Sequence, residues 1–330
     1  MASSQLRSFR MKILNLSVLA GVVATPAMAC DLCSIYSAMQ ARGEVNKGFT
    51  AGVAEQFTHY GALQEDGHRV PNDLNQHLDS SILQLFAGYN FTDRFGVQVN
   101  LPIIYRSFQR AADSGGIERG TESGMGDVSL VANFLAYRQA TKKSTFAWTV
   151  HGGIKFPTGS SERLKEELDE LTAPPPPPDA PESGIHGHDL ALGSGSVDGI
   201  VGTGLFARRH RSFFTANAQY TIRTKGDFDY RYANDLTWWG GPGVFLALNE
   251  SYSVALQLNV SGESKGRDTF QGAKADDTGI TSVFLGPQIS VTWGERLSAE
   301  VGVDLPMSID NTALQSVPDY RVRAAVNWRF

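Results

Sequence analysis

Apolar and polar residues alternate along this chain in segments of about ten residues, from residue 48 to the last residue. Alternation with a period of two is typical of a β-strand that has one apolar and one polar face. The final segment shows this pattern most clearly. Its apolar face carries Tyr320, Val322, Ala324, Val326, Trp328 and Phe330, and its polar face carries Arg321, Arg323, Asn327 and Arg329. In water such a strand needs a partner sheet, whereas in a bilayer its apolar face needs only lipid.

Twelve such segments follow one another, and the gaps between them alternate between short and long. The short gaps read TDR, RQATKKS, RRHR, NES and GER. The long gaps lie near residues 62–79, 108–123, 158–195, 226–235, 263–278 and 309–318. Short periplasmic turns that alternate with long outer loops are typical of outer-membrane barrels, and an even strand number places both termini in the periplasm. The pattern therefore predicts an all-β fold, an antiparallel transmembrane β-barrel of about 12 strands in a Gram-negative outer membrane.

A soluble β-sandwich or jelly roll also has alternating strands. Such a fold has no reason to sort its connections into short ones at one end and long ones at the other. It also has no reason to place Trp148, Trp238, Trp293 and Trp328 near strand ends, where a membrane barrel has aromatic girdles. Both features favour the barrel.

The first 29 residues have the three parts of a secretory signal peptide. A short basic region precedes an apolar stretch over residues 13–24, and small residues at Ala27 and Ala29 predict cleavage before Cys30. Removal of residues 1–29 takes away three basic residues and no acidic ones, so the formal net charge moves from −5 to −8. A mildly acidic exported protein argues against nucleic-acid partners, which need a clustered basic surface.

Residues 30–47 form a predicted periplasmic segment before the barrel. Leu32, Ile35, Tyr36 and Met39 share one helical face, which suits a short helix lodged at the periplasmic mouth as a partial plug. The segment also contains Cys30 and Cys33 in the sequence CDLC. A local disulfide, a metal or redox site and lipid attachment at Cys30 are the three alternatives for these cysteines.

The long outer loop at residues 158–195 carries a pattern of its own. Leu164, Leu168 and Leu171 recur at helical spacing among acidic residues, which predicts a short amphipathic helix before the polyproline run at residues 174–178. Such a loop either folds over or into the barrel mouth or remains a disordered acidic surface segment. The sequence HGHD within it offers His186 and His188 as weak candidates for metal ligands.

Residues that alternate with the lipid-facing ones are expected to face the lumen. They are Asp127, Asn133, His151, Lys155, Asp198, Asn217, Gln219, Arg223, Gln257, Asn259, Gln288, Glu300, Asp304, Arg323, Asn327 and Arg329. We single out seven as residues that select the solute: Asp127, His151, Lys155, Arg223, Glu300, Asp304 and Arg323. The alternative is an ionic network that fills a narrow barrel, with Glu300 and Asp304 paired to arginines of the next strand.

Catalysis finds little support in the sequence. Outer-membrane hydrolases pair a Ser or Asp with a His near the outer rim, and the twelve-stranded phospholipase relies on a His-x-Ser motif. None of THY, GHR, QHL, VHG or RHR supplies that motif, and IHGHD has Gly where Ser is needed. No cofactor motif appears. The sequence thus predicts a channel rather than an enzyme, with a metal- or redox-linked protein and a hydrolase as the alternatives.

Four stretches resemble the outer-membrane channel family labelled for the MetA pathway of phenol degradation. They are SGMGDVSLVANFLAYR, GIKFPTGSS, GSVDGIVGTGLF and the aromatic C-terminus, and the likeness covers roughly residues 48–330. The strand opening holds Gly124, Gly126 and Asp127, and the strand end holds Lys155, Phe156, Pro157, Thr158 and Gly159. The resemblance implies passage of small, often hydrophobic or aromatic compounds across the outer membrane. The expected partners are membrane lipids, a small solute and the barrel-assembly machinery, whose recognition signal the terminal Phe330 resembles.

Overall fold

The computed structural model describes residues 47–112, 115–172, 181–249, 251–294 and 296–330. The predicted signal peptide at residues 1–29 lies outside the described residues. The same holds for Cys30, Cys33 and the predicted periplasmic helix, since the described part begins at Lys47.

Twelve antiparallel strands close into a barrel in the described part of the chain, which confirms the predicted fold class. The barrel strands are β1 (Gly48–Glu65), β3 (His77–Asn90), β4 (Phe95–Ala111), β6 (Ser129–Ala140), β7 (Ser144–Lys155), β8 (Asp198–Arg209), β9 (Ser212–Ile222), β11 (Asp235–Leu248), β12 (Tyr252–Lys265), β15 (Ile280–Trp293), β16 (Leu297–Asn311) and β17 (Leu314–Arg329). Five shorter strands lie between them: β2 (His68–Val70), β5 (Ile117–Met125), β10 (Tyr230–Arg231), β13 (Thr269–Phe270) and β14 (Ala273–Lys274).

Each barrel strand pairs with the next one along the chain, and β17 pairs with β1 to close the ring. The backbone N–H of Phe330 donates to the carbonyl oxygen of Phe49 at 3.0 Å at the closing seam. Closure leaves the ring of twelve strands without a free edge, so its backbone hydrogen bonds are satisfied between strands, as a lipid environment requires.

Side chains alternate between the two sides of the wall as the sequence predicts. On β3, Gln84 is buried and Leu85 is exposed, and on β4, Asn100 is buried and Val99 is exposed. The exposed apolar side chains form the band that faces lipid, and the buried polar ones face the lumen. No helix of the described residues is long and apolar enough to cross a membrane.

The connections are short at the end of the barrel where β1 begins and β17 ends. At the opposite end most connections are long. The predicted long gap near residues 309–318 is wrong, because β16 and β17 leave only a two-residue turn between them. Ala313 has a φ of 52° in this turn, and the Asn311 side chain donates to Gln64 O at 3.0 Å and Ala313 O at 2.9 Å. The outer ends of β16 and β17 lack apolar alternation, yet they pair with β15 and β1 as far as Asn311 and Leu314.

Two other outer gaps also contain regular structure. β1 continues to Glu65 before the small strand β2, and β4 extends to Ala111, where it pairs with β5. The outer loops also contain 3₁₀ turns at Asp227–Asp229 and Asp276–Thr278.

The loop between β7 and β8 contains the predicted short helix. A 3₁₀ turn, Glu162–Leu164, leads into an α-helix at Lys165–Thr172, and a single helical turn follows at Gly187–Leu190. The helix prediction is therefore confirmed, and Leu164, which begins the apolar spacing, is buried.

Candidate functional site

The β7–β8 loop enters the outer mouth of the barrel with its apolar side chains. Leu192 lies in a buried cluster with Ile82 and Ile104 of the lumen wall. Higher in the mouth, Ile185 and Leu190 pack with Leu78 of β3 and Phe108 of β4, among other residues. Burial of these apolar side chains stabilises the inserted position. In its described residues, the loop thus folds into the mouth and is not a surface segment.

Hydrogen bonds to the backbone of the loop attach it to the barrel. Gln76 Nε2 donates to Glu182 O at 3.0 Å, and Gly184 N donates to Gln76 Oε1 at 3.1 Å. Across the mouth, Ser316 N of β17 donates to Gly184 O at 2.7 Å. The loop therefore bridges strands that lie on opposite sides of the closing seam.

Five buried charged side chains form a row inside the mouth, which we call the ionic ladder: Asp127, Lys155, Asp198, Arg223 and Asp235. Lys155 Nζ lies 2.5 Å from Asp127 Oδ2 and 2.8 Å from Asp198 Oδ2. Arg223 Nη1 lies 3.0 Å from Asp198 Oδ2, and its Nη2 lies 2.7 Å from Asp235 Oδ2. All five side chains are between 0 and 4% exposed.

The strand ends position the ladder. Lys155 is the last residue of β7 and pairs in register with Asp198, the first residue of β8. Arg223 follows the end of β9, and Asp235 begins β11. Because these strands are neighbours and end at one level, their terminal side chains meet on the lumen side.

The ladder also holds the inserted loop. Ser194 N donates to Asp127 Oδ2 at 2.9 Å, and Gly159 N donates to Asp127 Oδ1 at 3.0 Å. In the connection between β9 and β11, Thr224 N donates to Asp198 Oδ1 at 2.9 Å. These bonds give the buried carboxylates the extra partners that a buried ion pair needs to offset its desolvation.

Further ion pairs lie along the opposite wall. Arg323 binds Asp304 through two nitrogens, at 2.8 and 3.0 Å, and Arg321 Nη2 lies 3.0 Å from Glu263 Oε1. Glu300 accepts a hydrogen bond from Gln288 Nε2 at 3.3 Å. The pairing of Asp304 with Arg323 agrees with the ionic-network alternative at this position.

The seven singled-out residues therefore fall into different places. Three of them, Asp127, Lys155 and Arg223, meet in the ladder, and Asp304 meets Arg323 on the other wall. His151 lies on β7 below the ladder, and its ring occupies the space that a side chain at Gly202 would fill. Whether these residues select a solute stays a prediction.

His186 and His188 lie in the inserted loop beside acidic groups. His188 Nδ1 is 2.9 Å from Glu167 Oε1, its Nε2 is 3.5 Å from Asp189 Oδ1, and its ring is parallel to that of His186 at 5.7 Å. His186 Nε2 is 3.5 Å from Asp277 Oδ2. Among the described residues, no group of three or more His, Cys, Asp or Glu is arranged to hold a metal ion.

The loop ion pair shifts the pKa of both partners. Burial alone would raise the pKa of Glu167, but the charge and hydrogen bonds of His188 outweigh it and lower that pKa to about 2. Burial alone would lower the pKa of His188, but the charges of Asp189 and Glu167 raise it well above 6.5. The pair is therefore ionised at neutral pH and ties the helix to the end of the inserted segment.

A cavity of roughly 100 Å³ lies between the inserted loop and the barrel wall. Its lining includes two ladder residues and Arg106, a buried lumen residue of β4. Sequence reasoning ended this strand near Leu101 and so missed Arg106. The signal was present, because Arg106 has the same parity along the strand as the lumen-facing Asn100.

The periplasmic end of the lumen is apolar by contrast. Phe213 lies between Phe206 and Phe245, with ring centroids 6.1 and 5.0 Å away. Leu135, Ala147 and Ala255 complete this cluster. The lumen therefore runs from a charged outer mouth to an aromatic inner end.

A closed barrel with a lipid-facing apolar band, a polar lumen and a loop folded into its outer mouth defines an outer-membrane β-barrel. Comparison with solved structures agrees with this class. The chain is similar to the COG4313 outer membrane channel from Pseudomonas putida F1, with a TM-score of 0.57 and 16% identity over 86% of this chain and 96% of that one. That structure shares the fold of this chain, as the sequence resemblance to a channel family predicts.

More distant matches include the β domain of the Bordetella autotransporter Brka, with a TM-score of 0.42 and 11% identity over 86% of this chain and 100% of that one. A Pseudomonas aeruginosa FadL homologue matches with a TM-score of 0.36 and 11% identity over 86% of this chain and 90% of that one. Comparison with protein-family models finds no match, and comparison with curated proteins finds none either.

Proposed function

We propose that this outer-membrane channel lets small solutes cross passively, among them compounds with an apolar or aromatic part. The observation that supports this proposal is the make-up of the lumen, which has a cavity at the outer mouth and an aromatic cluster at the periplasmic end. A barrel filled only to stabilise its wall would not need a cavity beneath an inserted loop.

The charges of the lumen act mainly as a polar wall in this proposal. Lys155, Arg223 and Arg323 each contact a carboxylate within 3.0 Å, so the nearest counter-charge screens them from a passing solute. Selection then depends on the width of the path beside the loop and on apolar contacts, rather than on a ring of free charge.

The inserted loop sets the entrance. It reaches from the ladder to β17 through Gly184 and Ser316, so a solute must pass beside the loop or displace it. Solutes larger than the mouth cavity are therefore expected to cross slowly.

A liposome-swelling assay tests the proposal. The purified full-length mature protein is reconstituted, and swelling is followed with sugars, amino acids and small neutral aromatics. We expect small solutes to enter faster than into protein-free liposomes, with rates that fall as solute size rises. Arg323→Gln should alter the order of rates among charged solutes, because it leaves Asp304 without its bidentate partner, whereas Arg94→Gln, in an exposed periplasmic turn, should not.

Folding is checked for every variant by the heat-dependent shift in gel mobility that closed barrels show. If the folded wild type and a variant with a widened inner end, Phe213→Ala, both swell no faster than protein-free liposomes, the passive-channel proposal is wrong.

A further inference from the structure

We propose that the cavity in the outer mouth is a binding site for a small monocarboxylate with a short apolar tail, and that Arg106 holds its carboxylate. This inference rests on the proposed function, because it treats the cavity as the first stop of a solute that enters the channel. It adds the chemical class of the ligand and the residue that recognises it.

Arg106 is a buried cation whose charge is not balanced by an ion pair. The residue is 7% exposed, and its Nη1 donates to the backbone oxygens of Asp189 and of Ala191, the latter at 2.8 Å. Its Nε is buried and has no hydrogen-bond partner. Within the described residues, no carboxylate lies within ion-pair distance of Arg106.

Other buried cations in the mouth differ from Arg106 in this respect. Lys155 contacts Asp127 and Asp198, Lys265 Nζ is 2.7 Å from Asp268 Oδ2, and Arg321 pairs with Glu263. A buried charge is costly to desolvate, and a carboxylate is the strongest partner that a guanidinium can take, because it accepts two parallel hydrogen bonds. A ligand carboxylate would give Arg106 the negatively charged partner that the other cations find in the Asp and Glu side chains of the protein.

The charged lining of the cavity favours an anion. Arg106, Lys155, Arg223 and Lys265 all line it, and of the carboxylates that pair with the last three, Asp127, Asp198, Asp235 and Asp268, none is part of the lining. Two acidic side chains, those of Asp189 and Glu263, also line the cavity. The cationic side chains therefore line the cavity, whereas most of the carboxylates that pair with them do not.

The remaining lining is apolar and limits the size of the ligand. Leu78, Ile185, Ile280, Tyr60 and Pro318 contribute to it. A dry cavity of about 150 Å³ holds benzene, so a cavity of roughly 100 Å³ suits a molecule of about four or five non-hydrogen atoms. Propionate has this size, with an ethyl group for the apolar wall and a carboxylate for Arg106.

Saturation-transfer difference NMR on the folded full chain in detergent measures the binding of the organic probes directly, and the binding of phosphate, which has no observable protons, is measured by its competition with propionate. The probes are propionate, its neutral isostere propionamide, and inorganic phosphate, an anion without a tail. We expect propionate to bind at least about tenfold more tightly than either of the others, since one charge-assisted contact alone accounts for a factor of that order. Equal binding of propionamide or of phosphate would overturn the proposal.

The first variant is Arg106→Gln, which should weaken propionate binding at least about tenfold. The matched control is Arg69→Gln, whose side chain is 72% exposed at the rim and should leave binding as in the wild type. Unchanged propionate binding in Arg106→Gln would overturn the proposal.

A second pair of variants separates ligand binding from loop attachment, because Arg106 also bonds to the loop. Ala233 lines the cavity and is partly exposed, so Ala233→Asp adds a negative charge there without touching the Arg106 contacts. Propionate should bind several-fold more weakly to Ala233→Asp than to the neutral variant of equal size, Ala233→Asn. Equal binding to these two variants would show that charge in the cavity is irrelevant and would overturn the site.

The test of the binding site and the test of the channel can fail independently, because propionate can bind to the protein in detergent without crossing a membrane. Propionate binding without any solute permeation supports the site and overturns the proposed function. Permeation without propionate binding overturns the site and supports the channel.

Discussion

Replacement of Lys155 by Met tests how strongly the ionic ladder stabilises the outer mouth. Lys155 Nζ lies between Asp127 Oδ2 and Asp198 Oδ2, at 2.5 and 2.8 Å, and all three side chains are almost completely buried. Methionine retains most of the side-chain length and removes the charge. Two carboxylates then lose a shared cation, although Asp198 still contacts Arg223.

The expected cost follows from the burial of these carboxylates. Removal of one partner of a buried ion pair leaves an uncompensated charge and typically costs about 3–5 kcal/mol in the free energy of unfolding. Asp127 keeps its hydrogen bonds from Ser194 N and Gly159 N, which places the expectation for Lys155→Met near the lower end, at about 3 kcal/mol.

Urea unfolding of the detergent-solubilised barrel, followed by tryptophan fluorescence, measures this free energy. The matched control is Lys225→Met in another outer loop, where Lys225 contacts Asp229 and the side chains are 62% and 47% exposed. An exposed pair of this kind contributes at most about 1 kcal/mol, because water screens it. The double variant Lys155→Met with Asp127→Asn should recover part of the loss, since it removes the carboxylate that lost its cation, whereas Asp198 keeps Arg223.

The reasoning is refuted if Lys155→Met costs no more than Lys225→Met. It is also refuted if the double variant is less stable than Lys155→Met alone, because the loss would then not come from an unpaired carboxylate.

Three further predictions concern the loop, the inner end and the last residue. His188→Gln should destabilise the barrel most between about pH 4.5 and 6.5, where both groups of the pair contribute fully: the contribution of Glu167 is lost as pH falls towards about 2, and that of His188 is lost as pH rises through its raised pKa. Urea unfolding of both proteins at about pH 5.5 and at high pH should show the difference shrink at high pH, and a constant difference would contradict the assignment. Phe213→Ala should raise single-channel conductance in planar bilayers by opening the aromatic cluster, and an unchanged conductance would mean that the path avoids it. Phe330→Ala should retain the barrel, since the backbone bond to Phe49 does not need the side chain, but should slow its accumulation in outer-membrane fractions; wild-type accumulation would argue against Phe330 as an assembly signal.

The barrel could be predicted from the sequence because the lipid bilayer allows very few backbone structures to cross it. A chain that spans a bilayer with strands must close them and must alternate apolar and polar residues, so the pattern at Leu85 and Gln84 is nearly sufficient to assign the faces. The same reasoning failed where strands leave the lipid. Beyond the apolar band, the turn at residues 312–313 is held by hydrogen bonds from the Asn311 side chain to backbone oxygens, and no hydropathy pattern marks it.

The candidate site was only half predictable for a similar reason. Inward-facing residues such as Lys155 and Arg223 can be selected by parity along a strand, which is a local property. Their partners depend on which strand ends are neighbours and on where a distant loop inserts. Asp235 and Arg106 were not selected, because the predicted gap at residues 226–235 included Asp235 and the predicted strand ended near Leu101, before Arg106.

The sequence by itself determined the strand number, the lipid-facing side and the inner polar surface, because these depend on a period of two and on the solvent. Only the tertiary structure decided that the loop between β7 and β8 folds inward, that Asp127 and Asp198 share one lysine, and that Arg106 is left facing a cavity with backbone oxygens alone. The physical reason is that burial and charge pairing are properties of groups brought together by folding, and residues separated by tens of positions acquire them only when the barrel closes.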